Sequence, residues 1–256
     1  MVTKYPFWVL KSDARRLLKG KWNAVVLSLF IPFLLYVILA VKLAQAVPQN
    51  ASAVQLEKIM MIQYAGTIGF SVLLELIMVG IFRNLQPNQE KASCLNIYAV
   101  GFGSFFKLLP TMLITLGVPF VCNLLLSSDS VTKFYDYLMF SLMSIEVYGV
   151  LVQLVSLFLE LFMLYLTLSL TMVPCILANH PTYGGIRLIK ESFSLMKGNR
   201  LYFVAFSFSF VGWILLGSLA FTIGILWALA YMMAAQYAYY RRLAFEAESV
   251  IDVNEI

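Results

Sequence analysis

From Ala24 onward the chain alternates long apolar runs with short segments that hold most of its charge. A helix crossing a bilayer core needs about 20 mainly apolar residues, and that length divides the runs into predicted spans at 24–44, 60–82, 106–126, 147–173, 201–221 and 224–240. The apolar stretch from Tyr137 to Ala178 exceeds one crossing, so its front is assigned to an outer interfacial segment. The stretch from Leu201 to Tyr240 is also too long, and it divides at Thr222-Ile223-Gly224 into two tightly turned spans.

The segments between the runs have their own order. Within residues 1–22, Phe7, Leu10, Ala14 and Leu17 fall at i, i+3, i+7 and i+10, with Lys11, Arg15 and Lys19 on another face. Ile186, Ile189, Phe193 and Met196 repeat that spacing, with Arg187, Lys190 and Lys197 interspersed. Short basic amphipathic helices of this kind suit an anionic inner leaflet. Lys11, Arg15, Lys19, Arg187, Lys190 and Lys197 are therefore candidate lipid-headgroup contacts. The stretch "CLNIYAVGFGSFFKLLP" is a weaker, glycine-broken version. The wording itself also recurs, as "RLLKGKW" from Arg16 and "SLMKGNR" from Ser194. The chain thus parses as three copies of one unit: an inner interfacial helix, a span going out and a span coming back.

The expected fold is all-α, a polytopic membrane protein with six transmembrane helices arranged as three hairpins. Each hairpin is preceded by an inner interfacial amphipathic helix, and both termini lie inside. Residues 1–256 form a single membrane domain that closes in an acidic cytoplasmic tail, 241–256.

Composition agrees. The chain is 61% hydrophobic and 12% charged, against about 25% charged in soluble domains. Its net charge of +5 belongs to the inner membrane surface and not to a nucleic-acid site. With the N-terminus inside, the inner segments hold all of the 18 Lys and Arg except Lys42, Lys58 and Lys133, a clear positive-inside asymmetry. Five spans would place Arg241 and Arg242 outside, so the charge favours six. Cys94, Cys122 and Cys175 show neither metal spacing nor pairing. The first apolar run is long enough to span, so no cleavable signal peptide is expected.

Two acids fall deep in predicted spans, where a charge is expensive and needs an account. At 100° per residue, Gln153, Ser156, Glu160, Thr167 and Thr171 share an arc of about 60°, and Glu146 extends the stripe outward. On the second span Tyr64, Thr67, Ser71 and Glu75 share an arc of about 80°. Thr111, Thr115 and Cys122 make a milder stripe on the third span, and Gln236 supplies an amide on the sixth. Two readings stand: a proton- or cation-linked cavity with Glu75 and Glu160 as its titrating groups, or plain interhelical hydrogen bonding. The candidate cavity residues are Glu75, Glu160, Gln153, Ser156, Thr67, Ser71 and Gln236. His180 is the one histidine, in a loop before Pro181, and no catalytic set, metal cluster or phosphate-cradling loop can be assembled. Neither enzymatic activity nor a cofactor is expected.

The segments Ser192 to Asn199, Phe210-Val211-Gly212-Trp213, Gly224-Ile225-Leu226-Trp227, Tyr231 and Tyr239-Tyr240 resemble the C-terminal signature of the domain of unknown function 975 family. The opening "DARRLLKGKW" is similar to that family's start, while Ala230 stands where the family pattern commonly has proline. The resemblance implies a membrane protein over nearly the whole chain, of a bacterial family found mostly in Gram-positive bacteria, and carries no established activity. A more distant likeness touches the membrane part of glycerophosphodiester phosphodiesterases, which is not their catalytic part. The expected role is non-enzymatic, in the bacterial plasma membrane: structural, regulatory or accessory, and lipid- or envelope-related. Anionic inner-leaflet lipids and a membrane-protein partner are the expected associates. The alternative is a small proton- or cation-linked transporter or flippase-like protein; a membrane immunity or stress-resistance role is not separable from the first reading.

Overall fold

The computed structural model describes residues 5–45, 53–89, 93–119, 145–219 and 223–254. Regular structure within these residues is entirely helical. The elements are α1 (Phe7–Leu18), α2 (Trp22–Gln45), α3 (Ala53–Asn84), α4 (Cys94–Gly103), α5 (Phe105–Met112, continuing into a π-helical turn over Leu113–Gly117), α6 (Ile145–Leu170), α7 (Val173–Asn179), α8 (Gly185–Met196), α9 (Arg200–Phe208), α10 (Val211–Leu219) and α11 (Ile223–Asn254). Residues 120–126 of the third predicted span, the outer segment before Ile145, Cys122, Lys133 and Thr222 lie outside the described residues, as does the side chain of Glu146.

Among the described residues four segments are long and apolar enough to cross a membrane: Trp22–Gln45, Met61–Asn84, Gln153–Asn179 and Arg200–Leu219. They match the first, second, fourth and fifth predicted spans. A fifth is present if Cys94–Gly103 and Phe105–Gly117, bent by 65° against each other, count as one. The sixth predicted span lies in α11, which is not among them. Its run carries Gln236 and four tyrosines, Tyr231, Tyr237, Tyr239 and Tyr240, and so is less apolar than the others.

The breaks in the long helices have local causes. Pro174 has no N–H to offer and its ring crowds the carbonyl four residues back, and α6 stops at Leu170, four residues before it. Gln236 Nε2 donates to the Thr171 carbonyl in that break, at 2.8 Å. Pro110 sits inside α5, shortly before the π-helical turn. The pause between α9 and α10 is served from a distance, because Lys11 Nζ donates to the Ser209 carbonyl at 3.0 Å.

The core is built around α11. Ala230, Ala234, Ala235 and Tyr237 are wholly buried, and small side chains of this kind let helices approach closely. Tyr237 stacks on Phe82 of α3 with centroids 5.6 Å apart. Tyr239 lies among Phe203 and Phe206 of α9, and Tyr231 meets Phe210 edge-on. α1 lays Leu10, Ala14 and Leu18, all fully buried, against this helix.

The buried face of α8 runs Leu188, Ser192, Met196, while Ile186 is 70% exposed. The face expected from the apolar spacing is therefore rotated. A serine can take a core position here because its hydroxyl donates to the Ser169 carbonyl at 2.6 Å.

The two Lys-Gly sites adopt one geometry. Lys19 has φ −57 and ψ 120, and Lys197 has φ −63 and ψ 118. Gly20 and Gly198 follow at φ 78 and φ 79. The N–H of Lys21 reaches the Leu18 carbonyl at 2.9 Å, and that of Asn199 reaches the Met196 carbonyl at 3.1 Å. Both are type II turns, whose third residue needs the left-handed φ that glycine adopts without penalty.

Candidate functional site

The predicted intramembrane residues do not converge on one cavity. Glu160, Gln153 and Ser156 are exposed on the N-terminal part of α6. That helix packs through its other end, where Ser169 and Leu170 are buried. Thr67 and Ser71 donate back along α3 to the carbonyls of Gln63 and Thr67, so both serve their own helix. Gln236 is spent on Thr171. Glu75 is different: Thr115 Oγ1 donates to its Oε1 at 3.4 Å and also to the Thr111 carbonyl at 3.0 Å. Glu75 Oε2 and Thr111 Oγ1 are buried without a hydrogen-bond partner among the described residues. These groups sit beside the π-helical turn, a feature frequent at functional sites.

The predicted headgroup contacts divide by exposure. Arg15, Lys19, Arg187, Lys190 and Lys197 are exposed. Lys11 is turned into the protein, with its ammonium on the Ser209 carbonyl and 4.8 Å above the Phe210 ring. Burial lowers its pKa from the ordinary 10.5.

An organised polar feature lies at the end of the bundle where α2 begins and α3 and α7 end. A cavity of about 1010 Å³ opens there, lined by the end of α1, the Lys19–Lys21 turn, the loop from Leu85 to Gln89, Asn179, His180 and the stretch of α11 from Ala238 to Phe245. Its walls are tied together by hydrogen bonds between distant parts of the chain. The ammonium of Lys21 donates to the carbonyls of Asn84 at 2.7 Å and Gln86 at 3.2 Å, and burial lowers its pKa from 10.5. Gln86 Nε2 donates to the Ala178 carbonyl at 2.8 Å, and Tyr237 donates to Asn179 Oδ1 at 3.1 Å. Arg242 Nε reaches Asp13 at 2.9 Å, joining α11 to α1, and its guanidinium lies 4.5 Å from the Tyr5 ring centre.

The cavity is strongly basic. Among the described residues Arg16, Lys19, Lys21, Arg241 and Arg242 line it against one lining carboxylate, Asp13, which is engaged by Arg242. Arg16, Lys19 and Arg241 have no carboxylate within ion-pair distance among the described residues. Glu246, one turn beyond Arg242, lies beside Tyr5. Of the lining cations the sequence marked Lys19 alone as a site residue. The others entered its charge count, and the Asp13–Arg242 pair, 229 residues apart, leaves no local trace. The readable signal was a cluster of amides and bases where the apolar runs stop: Asn84, Gln86, Asn179, Arg241 and Arg242.

Among the described residues no group of His, Cys, Asp or Glu is placed to hold a metal ion. No curated protein and no solved structure matches the chain. A family profile described as "Protein of unknown function (DUF975)" matches residues 7–247, nearly the whole sequence, so the chain belongs to the DUF975 family.

Proposed function

We propose that this chain is a non-enzymatic integral protein of the bacterial plasma membrane whose basic cytoplasmic face engages anionic lipid in a structural, regulatory or accessory role. In this reading the chain crosses six times as three hairpins, with α11 as the last crossing and both termini inside. α1 and α8, with α4 as a weaker counterpart, are the interfacial helices of three related units; the matched turns at Gly20 and Gly198 support the first and third. The observation that carries the lipid reading is the exposure of Arg15, Lys19, Arg187, Lys190 and Lys197 on helices whose opposite faces are buried in the bundle. Basic residues near an anionic leaflet contribute about 1 kcal/mol each. The test is the lipid that co-purifies from native membranes and the flotation of purified protein with phosphatidylglycerol vesicles. Replacing all five cations by glutamine lowers the anionic-lipid enrichment; an unchanged enrichment sinks the reading.

A second reading, proton- or cation-linked transport, is favoured by the oxygens of Glu75 and Thr111 beside the π-helical turn that have no hydrogen-bond partner among the described residues. It predicts proton or cation flux in proteoliposomes that Glu75→Gln abolishes and Glu160→Gln leaves intact. Equal flux with and without Glu75 removes it.

A further inference from the structure

We propose that the basic cavity bounded by the Lys19–Lys21 turn, the Leu85–Gln89 loop and the 238–245 stretch of α11 is a binding site for one phosphate-bearing headgroup. The inference rests on the lipid reading above and adds a defined site to a charged surface.

Size is the first argument. At about 1010 Å³ the cavity lies at the top of the range of about 300–1,000 Å³ typical of small-molecule sites. It has room for a headgroup, far more than a bare ion needs. Charge is the second. Among the described residues five cations line the cavity against the Asp13 carboxylate and that of Glu246 beside Tyr5, an excess of three positive charges, and Asp13 is held by Arg242. Like charges gathered in one concavity repel each other unless an anion joins them.

The third argument is the donor set. Arg16 and Arg241 offer planar guanidinium forks that match phosphate oxygens two at a time, and Lys19 adds a point charge. Lys21 has three ammonium hydrogens and places two on neutral carbonyls, so its charge stays uncompensated and one N–H remains to be given. The fourth is rigidity. The Lys21, Gln86, Tyr237 and Asp13–Arg242 bonds hold the four walls in place before any ligand arrives, which lowers the ordering entropy that binding must overcome.

Apolar surface completes the site. Leu17, Leu85 and Phe245 line the same cavity, and Phe245 is 71% exposed. A ligand with a phosphate and an apolar body satisfies both kinds of wall. Arg187, Lys190 and Lys197 line no part of this cavity and provide the comparison of equal charge.

The experiment uses the full chain in neutral detergent, with bound phosphatidylglycerol counted by native mass spectrometry across a titration. A parallel titration uses glycerol 3-phosphate and inorganic phosphate, which separates a lipid headgroup from a soluble phosphate ester as the source. One saturable equivalent is expected. Arg16→Gln/Lys19→Gln/Arg241→Gln weakens it by at least about tenfold, because each basic side chain near the anion contributes about fivefold. Arg187→Gln/Lys190→Gln/Lys197→Gln lowers only the graded, non-saturating association. These side chains are exposed, and a thermal unfolding curve of each variant confirms that the fold is kept. Saturable binding of either source that the cavity triple alone removes supports the site. Equal loss from both triples overturns the cavity and leaves the lipid reading standing. Loss from neither overturns both.

Discussion

An alanine at position 80 tests how α3 and α4 are held together. A Cβ on Gly80 would meet the carbonyl oxygen, carbonyl carbon and Cα of Ile97, the two carbons at 2.7 and 2.9 Å. These are backbone atoms of a helix, so no rotamer change relieves the clash. The carbonyl oxygen lies nearer than either carbon, so restoring ordinary contact at 3.4 Å needs a retreat larger than the roughly 0.7 Å that the carbonyl carbon alone would require, and α4 must move with it. A gap of about 0.5–1 Å forfeits a quarter to a half of each dispersion contact across the interface, which here includes the fully buried Ile97. Overpacking of this kind costs about 1–3 kcal/mol, against a helix-propensity gain of about 1 kcal/mol for Ala over Gly. A backbone clash belongs at the upper end of that range, leaving a net loss of about 2 kcal/mol. Gly69, on the same helix, has nothing within 4 Å of a built Cβ, so Gly69→Ala keeps the propensity gain alone. Thermal unfolding in detergent reads both variants through the buried thiol of Cys175, which reacts with a maleimide dye only once exposed. Gly80→Ala melts roughly 4–8 °C below the parent at about 2–4 °C per kcal/mol, and Gly69→Ala at or above it. A Gly80→Ala protein that melts with the parent refutes the close helix crossing.

Further expectations concern the basic end. Gly20→Ala and Gly198→Ala each lose about 1–2 kcal/mol, the penalty of a left-handed backbone for an L side chain, because no neighbouring atom crowds either position; the same unfolding assay reads it. Lys21→Met leaves one buried carbonyl, Asn84, and one half-buried carbonyl, Gln86, without their donor and destabilises by about 1–3 kcal/mol. The lowered pKa of Lys21 also means that the unfolded chain binds more protons just below pH 10.5. Stability therefore rises with pH through that window, and Lys21→Met flattens this part of a pH–stability curve. Asp13→Asn breaks a partly exposed ion pair and costs less than about 1 kcal/mol. By removing a negative charge from the cavity it offsets the wall contact it loosens, so phosphatidylglycerol binding in the titration described above is no weaker than in the parent, and a clear loss of binding would contradict the assigned charge balance.

Much of the helical layout was legible because a bilayer demands length and apolarity, which are local properties. Four predicted spans fall on helices able to cross, and the Lys-Gly echo marks two turns of one geometry. What the sequence hid depends on contacts between remote segments. α11 looks like an ordinary, slightly polar span, yet its alanines and tyrosines are the centre of the protein. Periodicity placed Glu160 on a polar stripe, but periodicity orients a helix only if something packs along it, and the part of α6 around Gln153 to Glu160 is largely exposed. Lys11 and Lys19 share one charged face on paper. The geometry separates them, because a four-carbon stem lets Lys11 reach a carbonyl freed by a helix break 198 residues away.

The position of α11 in the chain has a consequence for biogenesis. Helices α1, α2, α3 and α9 emerge from the ribosome before the segment that buries their inner faces, the residues from Leu226 to Leu243. Until then Phe82, Phe203 and Phe206 have no tyrosine to pack on, and Asp13 has no arginine. These helices stay unassembled against one another until α11 follows them. A membrane protease that senses exposed helix faces would meet every copy of the chain during that interval.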